Sequence, residues 1–296
     1  MPSDYLKVKN HEIIDGDGKS IVLRGAAIGG WMNMENFITG YPAHEHQHRK
    51  SMLKVLGKEK YEYFFDKWLE YFFTDADAAF FASLGLNCIR IPFNYRHLED
   101  DMNPRVLKEE GFKHLDRVID LCSKHKIYTI LDMHTAPGGH NPDWHSDNPT
   151  TYAAFWDYKD HQDRTVWLWE QIAKRYKDNT WIAGYNPLNE PCDPEHIRLP
   201  AFYNRIEATI RKIDPNHILW LDGNTFSMEW RGFDKVLPNC VYALHDYSAS
   251  PPQSEVYYYR SNLHYRRWAF PPANASPAPP SKPPGSSDNF YEKPSS

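Results

Sequence analysis

Six short, almost uninterrupted apolar runs recur along this chain and close on polar or turn-forming residues. They are IVLRGAAIGG (21–30), LNCIRIPF (86–93), YTILDMH (128–134), WIAGYNPLNE (181–190), HILWLDG (217–223) and VYALHDY (241–247). Apolar residues at helical spacing fill the intervals 59–84, 104–125, 151–176 and 195–213. Within the first interval Thr74 stands three residues before Asp77, a capping-box variant, and the second carries a proline near its start. Before all of these, DGDG lies between two alternating stretches and predicts a hairpin. Strands apolar on both faces, alternating with helices, form a parallel sheet covered on each side.

Two such sheets compete, the doubly wound open sheet and the (β/α)8 TIM barrel. GAAIGG after the first strand lacks the phosphate-binding G-x-G-x-x-G spacing and does not open a helix. Polar side chains instead gather at the ends of many strands: Arg90 and Asn94, His134, Asn189 and Glu190, Asp222, His245 and Tyr247. A site assembled from many strand tips is the mark of the barrel. The expected fold is therefore α/β, a (β/α)8 barrel with six recognisable strands over residues 1–247.

Composition narrows the function. The net charge of −5 offers no basic field for nucleic acid or an anionic membrane. YYYRSNLHYRR (257–267) interleaves aromatics with arginine, but against that overall charge it is weak evidence for nucleic acid. No run reaches the length of a membrane span, and the N-terminus lacks a basic-then-apolar signal, so the expected location is the cytoplasm. Cys88, Cys122, Cys192 and Cys240 are scattered without metal-ligand spacing and are expected as reduced thiols. HEHQH (44–48) alternates histidines like a metal patch but lacks further ligands, and reads better as a solvated loop. No cofactor is expected. Ten Trp and nineteen Tyr exceed what a core needs, and surplus aromatics suit a sugar-lined cleft, although aromatics also fill cores.

RGAAIGGWMNMENF, NCIRIPFNY, LDMHTAPGGHN, YNPLNEP and HDY, in that order, resemble glycoside hydrolase family 5, nearest its fungal exo-β-1,3-glucanase and β-glucosidase branch. The resemblance runs from about residue 8 to 247. It implies hydrolysis of β-glycosidic bonds with retention, on a β-glucoside or β-glucan, by two carboxyl groups about 5–5.5 Å apart. By resemblance Glu190 is the acid/base and Asn189 the contact to the sugar 2-hydroxyl. Arg90 would orient the nucleophile, with a barrel-end ion pair as its alternative. His134, His245 and Tyr247 would face the pocket. Period-two alternation puts His245 and Tyr247 on one side and Asp246 on the other. Glu35 and Trp31 match the exo-branch pocket floor, and Trp144 and Trp230 follow strands three and five as candidates to stack on sugar.

The family's nucleophile, a glutamate ending a seventh strand in Gly-Glu-Phe, has no counterpart here. Residues 248–296 hold ten prolines, and PPANASPAPPSKPP (271–284) is half proline, which predicts a low-complexity, PPII-like or disordered tail. The abrupt break suggests a truncated, frame-shifted or unspliced product. Two alternatives to a retaining glycosidase follow: an inactive remnant retaining weak carbohydrate binding, and a metal-dependent barrel hydrolase. The latter would want His-x-His where strand one ends in GGW.

Overall fold

Alternating side chains along parallel strands decide where the core and the site lie. The computed structural model describes Pro2 and residues 4–247, so the expected proline-rich tail and the 257–267 segment lie outside the described residues. The chain divides into two units, Met1–Asp246 and Tyr247–Ser296, and every strand and helix among the described residues lies in the first.

Strands β1 (Lys7–Lys9) and β2 (Glu12–Ile14) pair antiparallel. The tight turn of that pair is at Asn10, whose φ is +57°, a left-handed conformation that asparagine tolerates well. The DGDG stretch makes the next turn, returning the chain so that Ile14 bridges Ser20. Six strands follow in one sheet: β3 (Gly25–Ala27), β4 (Cys88–Asn94), β5 (Tyr128–Thr135), β6 (Ile182–Asn186), β7 (Ile218–Asp222) and β8 (Cys240–Ala243). Their spatial order equals their chain order, and every pairing is parallel. These are six strands of a (β/α)8 barrel.

Helices α1 (Asn36–Thr39), α2 (Glu45–Leu56), α3 (Lys58–Tyr71) and α4 (Asp75–Ser83) join β3 to β4. Helices α5 (Phe112–Lys124), α6 (Lys159–Tyr176) and α7 (Leu199–Arg211) complete the next crossovers. At the start of α4 the Asp77 carboxylate accepts the Thr74 N–H at 2.7 Å, which satisfies one orphan donor of the helix. On α5, Phe112, Leu115, Val118, Ile119 and Cys122 recur at three- and four-residue steps and are all buried.

The strand faces divide the interior. Ile89, Ile91, Phe93, Leu131 and Met133 point outward into the large cluster shared with α5 and α6. Cys88, Tyr128, Ile130, Ala183 and Ile218 point inward, where Leu6, Val8 and Ile13 of the N-terminal segment pack against them. Two residues further along β4 and β5 the same inward face becomes polar, at Arg90 and Asp132. One end of the interior is thus plugged with hydrocarbon, and the other carries the site. In β6 the pairing skips Ala183, and the extra residue leaves Gly184 at φ +148°. A Cβ there would lie 2.1 Å from the Ile218 carbonyl oxygen, so only glycine allows β7 this close.

Several expectations need correction. The strand read over 181–190 ends at Asn186, because Pro187 has no N–H to continue the ladder. Glu190 therefore sits in the following loop. The helix read over 104–125 starts properly at Phe112: Arg105 has φ +61°, and its N–H is taken by the Glu99 side chain. The helix read over 151–176 begins at Lys159 after a short 3-10 turn at Ala154–Trp156. HEHQH is no solvated loop. It opens α2, where Glu45 is buried and accepts from the Met34 N–H, Arg49 and Asn94. All four cysteines are free thiols.

Candidate active site

Glu190 owes its position to its backbone. Its φ is +49°, strained for a residue with a side chain, and the peptide is held from both sides. The Glu190 N–H donates to Asp222 Oδ2 at 2.9 Å, and its carbonyl accepts from Asn141 Nδ2 at 2.7 Å. The preceding turn is anchored by Trp169 on α6, whose indole N–H reaches the Pro187 carbonyl at 3.1 Å. The side chain is buried and stands between two histidines. His245 Nδ1 lies 2.5 Å from Oε1, and His145 Nε2 lies 3.3 Å from Oε2.

The two histidines are shifted in opposite directions. Burial, then the proximity of His134, pushes His145 down to about 3, so it is neutral at pH 7. His245 is also penalised by burial, but Asp222 and Glu190 outweigh that and lift it above the ordinary imidazole value.

Beside Glu190, Arg90 ties the strand tips together. Its Nη2 donates to Asn186 Oδ1 and Asn189 Oδ1, both at 2.7 Å, and lies 3.0 Å from Asp132 Oδ2. The ion-pair alternative for Arg90 is thus present among the described residues. Because Asn189 spends its carbonyl oxygen on Arg90, its Nδ2 has no protein acceptor among the described residues. Asp132 Oδ2 also receives His134 Nδ1 at 2.7 Å, while His134 Nε2 lies 3.7 Å from Glu35 Oε1. Asp132 is pushed up to about 6 by burial, against the pull of Arg90. Glu35 rises to about 7, first through burial and then through Asp132 and Glu190. Glu35, His134, Arg90, Asn189, Glu190 and His245 thus share one network.

Trp31 does not join it. It is fully enclosed, with its indole N–H bound to the Leu69 carbonyl at 3.1 Å, so it offers no face for sugar and belongs to the core. Trp144 stands edge-on to Phe37 and His145 in the loop after β5. Trp230 packs against Phe233 and Tyr242 after β7. Tyr247 is exposed, and β8 ends at Ala243, so the alternation argument for His245 and Tyr247 does not hold: neither residue is in a strand. His245 is placed instead by its N–H to the Ser227 carbonyl at 3.3 Å.

The sequence placed Asp222 at a strand tip without a role and singled out none of Asp132, His145, Asn141 and Asn186. Asp132 was readable, since it lies two residues before His134 and must share its face. Asn186 and Asp222 end β6 and β7, Asn141 and His145 lie in the loop after β5, and all act through side-chain contacts to residues distant in sequence, which leave no periodic signal. Among the described residues no group of three or more His, Cys, Asp or Glu could hold a metal ion.

A parallel sheet whose strand tips carry a buried, histidine-flanked carboxyl is the architecture of the (β/α)8 barrel class. The fold matches solved structures of that class at low identity: rutinosidase from Aspergillus niger (TM-score 0.67, 18% identity, 81% of this chain and 75% of that one). Endogalactoceramidase also matches (TM-score 0.64, 18% identity, 90% and 66%). The family model for cellulase (glycosyl hydrolase family 5) matches residues 46–269. A curated "Beta-xylosidase" of Phanerodontia chrysosporium is 67% identical over 247 residues, covering 82% of this chain and 52% of that protein. A "Probable glucan 1,3-beta-glucosidase A" of Emericella nidulans is 31% identical over 222 residues, covering 71% and 54%. The chain belongs to glycoside hydrolase family 5. It spans about half the length of the curated relatives it matches. Among the described residues no helix is long and apolar enough to cross a membrane.

Proposed function

We propose that this chain carries the acid/base half of a retaining glycosidase, with Glu190 as the acid/base. The substrate is a terminal β-glycosyl residue of a glucan or small glycoside. The supporting observation is Glu190 itself: a buried carboxyl in a strained, doubly held peptide, with one oxygen beside a raised histidine and the other beside a neutral one. Such a group can hold a proton for the leaving oxygen and then take one from water. Asn189 Nδ2 would reach the sugar 2-hydroxyl. Arg90 and His134 would frame the ring, and Glu35 would accept from the terminal sugar, which makes the attack exo. A role for Trp144 and Trp230 in stacking, and for Tyr247 in facing the pocket, belongs to the same proposal.

The test is hydrolysis of aryl β-glucoside and aryl β-xyloside by the full chain and by Glu190→Ala. Loss of turnover in the variant, with partial recovery in azide, supports the acid/base role, because azide attacks the glycosyl-enzyme without base assistance. Equal rates in both proteins would end it. A second reading, resting on the missing Gly-Glu-Phe strand end in the sequence, is sugar binding without turnover. Under that reading the aryl substrates bind but release no phenol from either protein.

A further inference from the structure

The carboxylate of Asp222 is fully engaged. It is buried to 1% exposure, and its contacts tie it to the acid/base loop. Oδ1 accepts from Asn186 Nδ2 at 3.1 Å, and Oδ2 accepts the Glu190 N–H at 2.9 Å. The same Oδ2 lies 3.4 Å from His245 Nε2, while the far ring nitrogen, Nδ1, is 2.5 Å from Glu190 Oε1. Asp222 thus touches the acid/base residue twice, once directly through its backbone and once through an imidazole. Its own backbone is pinned as well, since the Asp222 carbonyl accepts from the Tyr203 hydroxyl at 2.8 Å.

We propose that Asp222 is a positioning residue that makes His245 a proton partner of Glu190. With an anion at Nε2, the imidazole keeps its Nε2–H in either charge state, and Nδ1 is the nitrogen that exchanges. The step moves one proton: the Nδ1–H bond of His245 breaks as the O–H bond of Glu190 forms. A charged imidazolium–carboxylate pair becomes a neutral imidazole and a carboxylic acid, with nothing else consumed. The charged and titratable groups around this pair come from each packed element. They are Asp222 at the end of β7, Arg90 on β4, with Nη2 4.0 Å from Asp222 Oδ2, Asp132 on β5, and the neutral His145 in the loop after β5. Arg90 opposes a charge on His245, whereas Asp222 and Glu190 favour it. Strict placement matters because proton sharing at this distance fails if the ring rotates or the loop relaxes.

This inference rests on the proposed acid/base role of Glu190, but its first test does not need turnover. In the full chain labelled with 15N-histidine, His245 is expected to lose its charge at Nδ1 and to retain Nε2–H at high pH. A neutral form protonated at Nδ1 would overturn the proposal without any mutation. In Asp222→Asn the imidazolium is expected to deprotonate about one pH unit or more lower. An unchanged titration in a folded variant would overturn it. Where the full chain hydrolyses glycosides, Asp222→Asn should lower kcat/KM for alkyl β-glycosides at least about tenfold more than for nitrophenyl ones, since only poor leaving groups need the acid. Equal losses on both would mark a merely structural role and overturn the proposal. A chain that hydrolyses neither substrate but shows the expected histidine titration removes the enzymatic reading while supporting the proton pair.

Discussion

Arg90 and Asn189 meet through the amide oxygen of Asn189, 2.7 Å from the guanidinium, and this contact decides which way the amide faces. Its oxygen is committed to the arginine, so what the residue can offer a ligand is its N–H2 group. The same guanidinium holds Asn186 and Asp132, and one planar cation thereby sets the ends of β4, β5 and β6 against one another.

Lysine cannot replace that fork. Arg90→Lys keeps the charge but supplies a point donor in place of the guanidinium reaching Asn186, Asn189 and Asp132 together. The expected loss is roughly 1–3 kcal/mol of folding stability, read from urea unfolding, together with weaker binding of a monosaccharide ligand by calorimetry.

The loop carrying Glu190 depends on a core residue. Trp169→Phe retains an aromatic ring on α6 but removes the indole N–H that holds the Pro187 carbonyl. A loss of about 1–3 kcal/mol is expected, from the unsatisfied buried carbonyl and the smaller ring. If activity is present, kcat should fall more than KM rises, because the loop positions the acid/base rather than the substrate.

Glu35 makes stability depend on pH in a defined direction. Its folded-state value, about 7, lies above the unfolded value of about 4.3. The folded protein therefore holds a proton the unfolded chain has released, and stability from this group is full below about pH 4.3 and lost as pH rises through 7. The loss is at most roughly 4 kcal/mol. Glu35→Gln should remove it, so the variant gains on the parent between pH 5 and pH 8 in urea midpoints. An unchanged difference would count against a shared, buried carboxyl at this position.

Acid should nevertheless unfold the protein. Burial first of all holds His114 and His140 down to about 4 and His145 to about 3, and pushes His134 well below its ordinary value. Unfolded histidines bind protons below about pH 6.5, and the folded ones refuse them until far lower. Their contribution is present above about 6.5 and is lost as pH falls towards 4. Glu35, Asp132, Asp222 and His245 act oppositely over part of that range, but His48, His97 and His161 join the four lowered histidines, and four upward shifts do not offset seven downward ones. Denaturant midpoints at pH 7, 5.5 and 4.5 should fall in that order. Each of His114→Gln and His140→Gln should flatten the decline.

The six strands and the helices between them were legible from the sequence, because strand burial and helical spacing are local patterns written in residue type. Thr74 with Asp77 at the start of α4 was legible for the same reason. Where Glu190 stands was not. The apolar run continues through Leu188, and only the backbone, ended by Pro187 and turned left-handed at +49°, shows that the residue leaves the strand. Trp31 looked like a pocket residue, and helix α3, through Leu69 and Trp68, made it core. Asp222 at the tip of β7 and His145 in the loop after β5 were brought beside Glu190 by contacts that join residues over thirty positions apart. Residue type determined which groups could do acid/base chemistry. Tertiary structure alone decided which of them stand within reach of one another, because that proximity depends on long-range packing and backbone conformation, which no local pattern encodes.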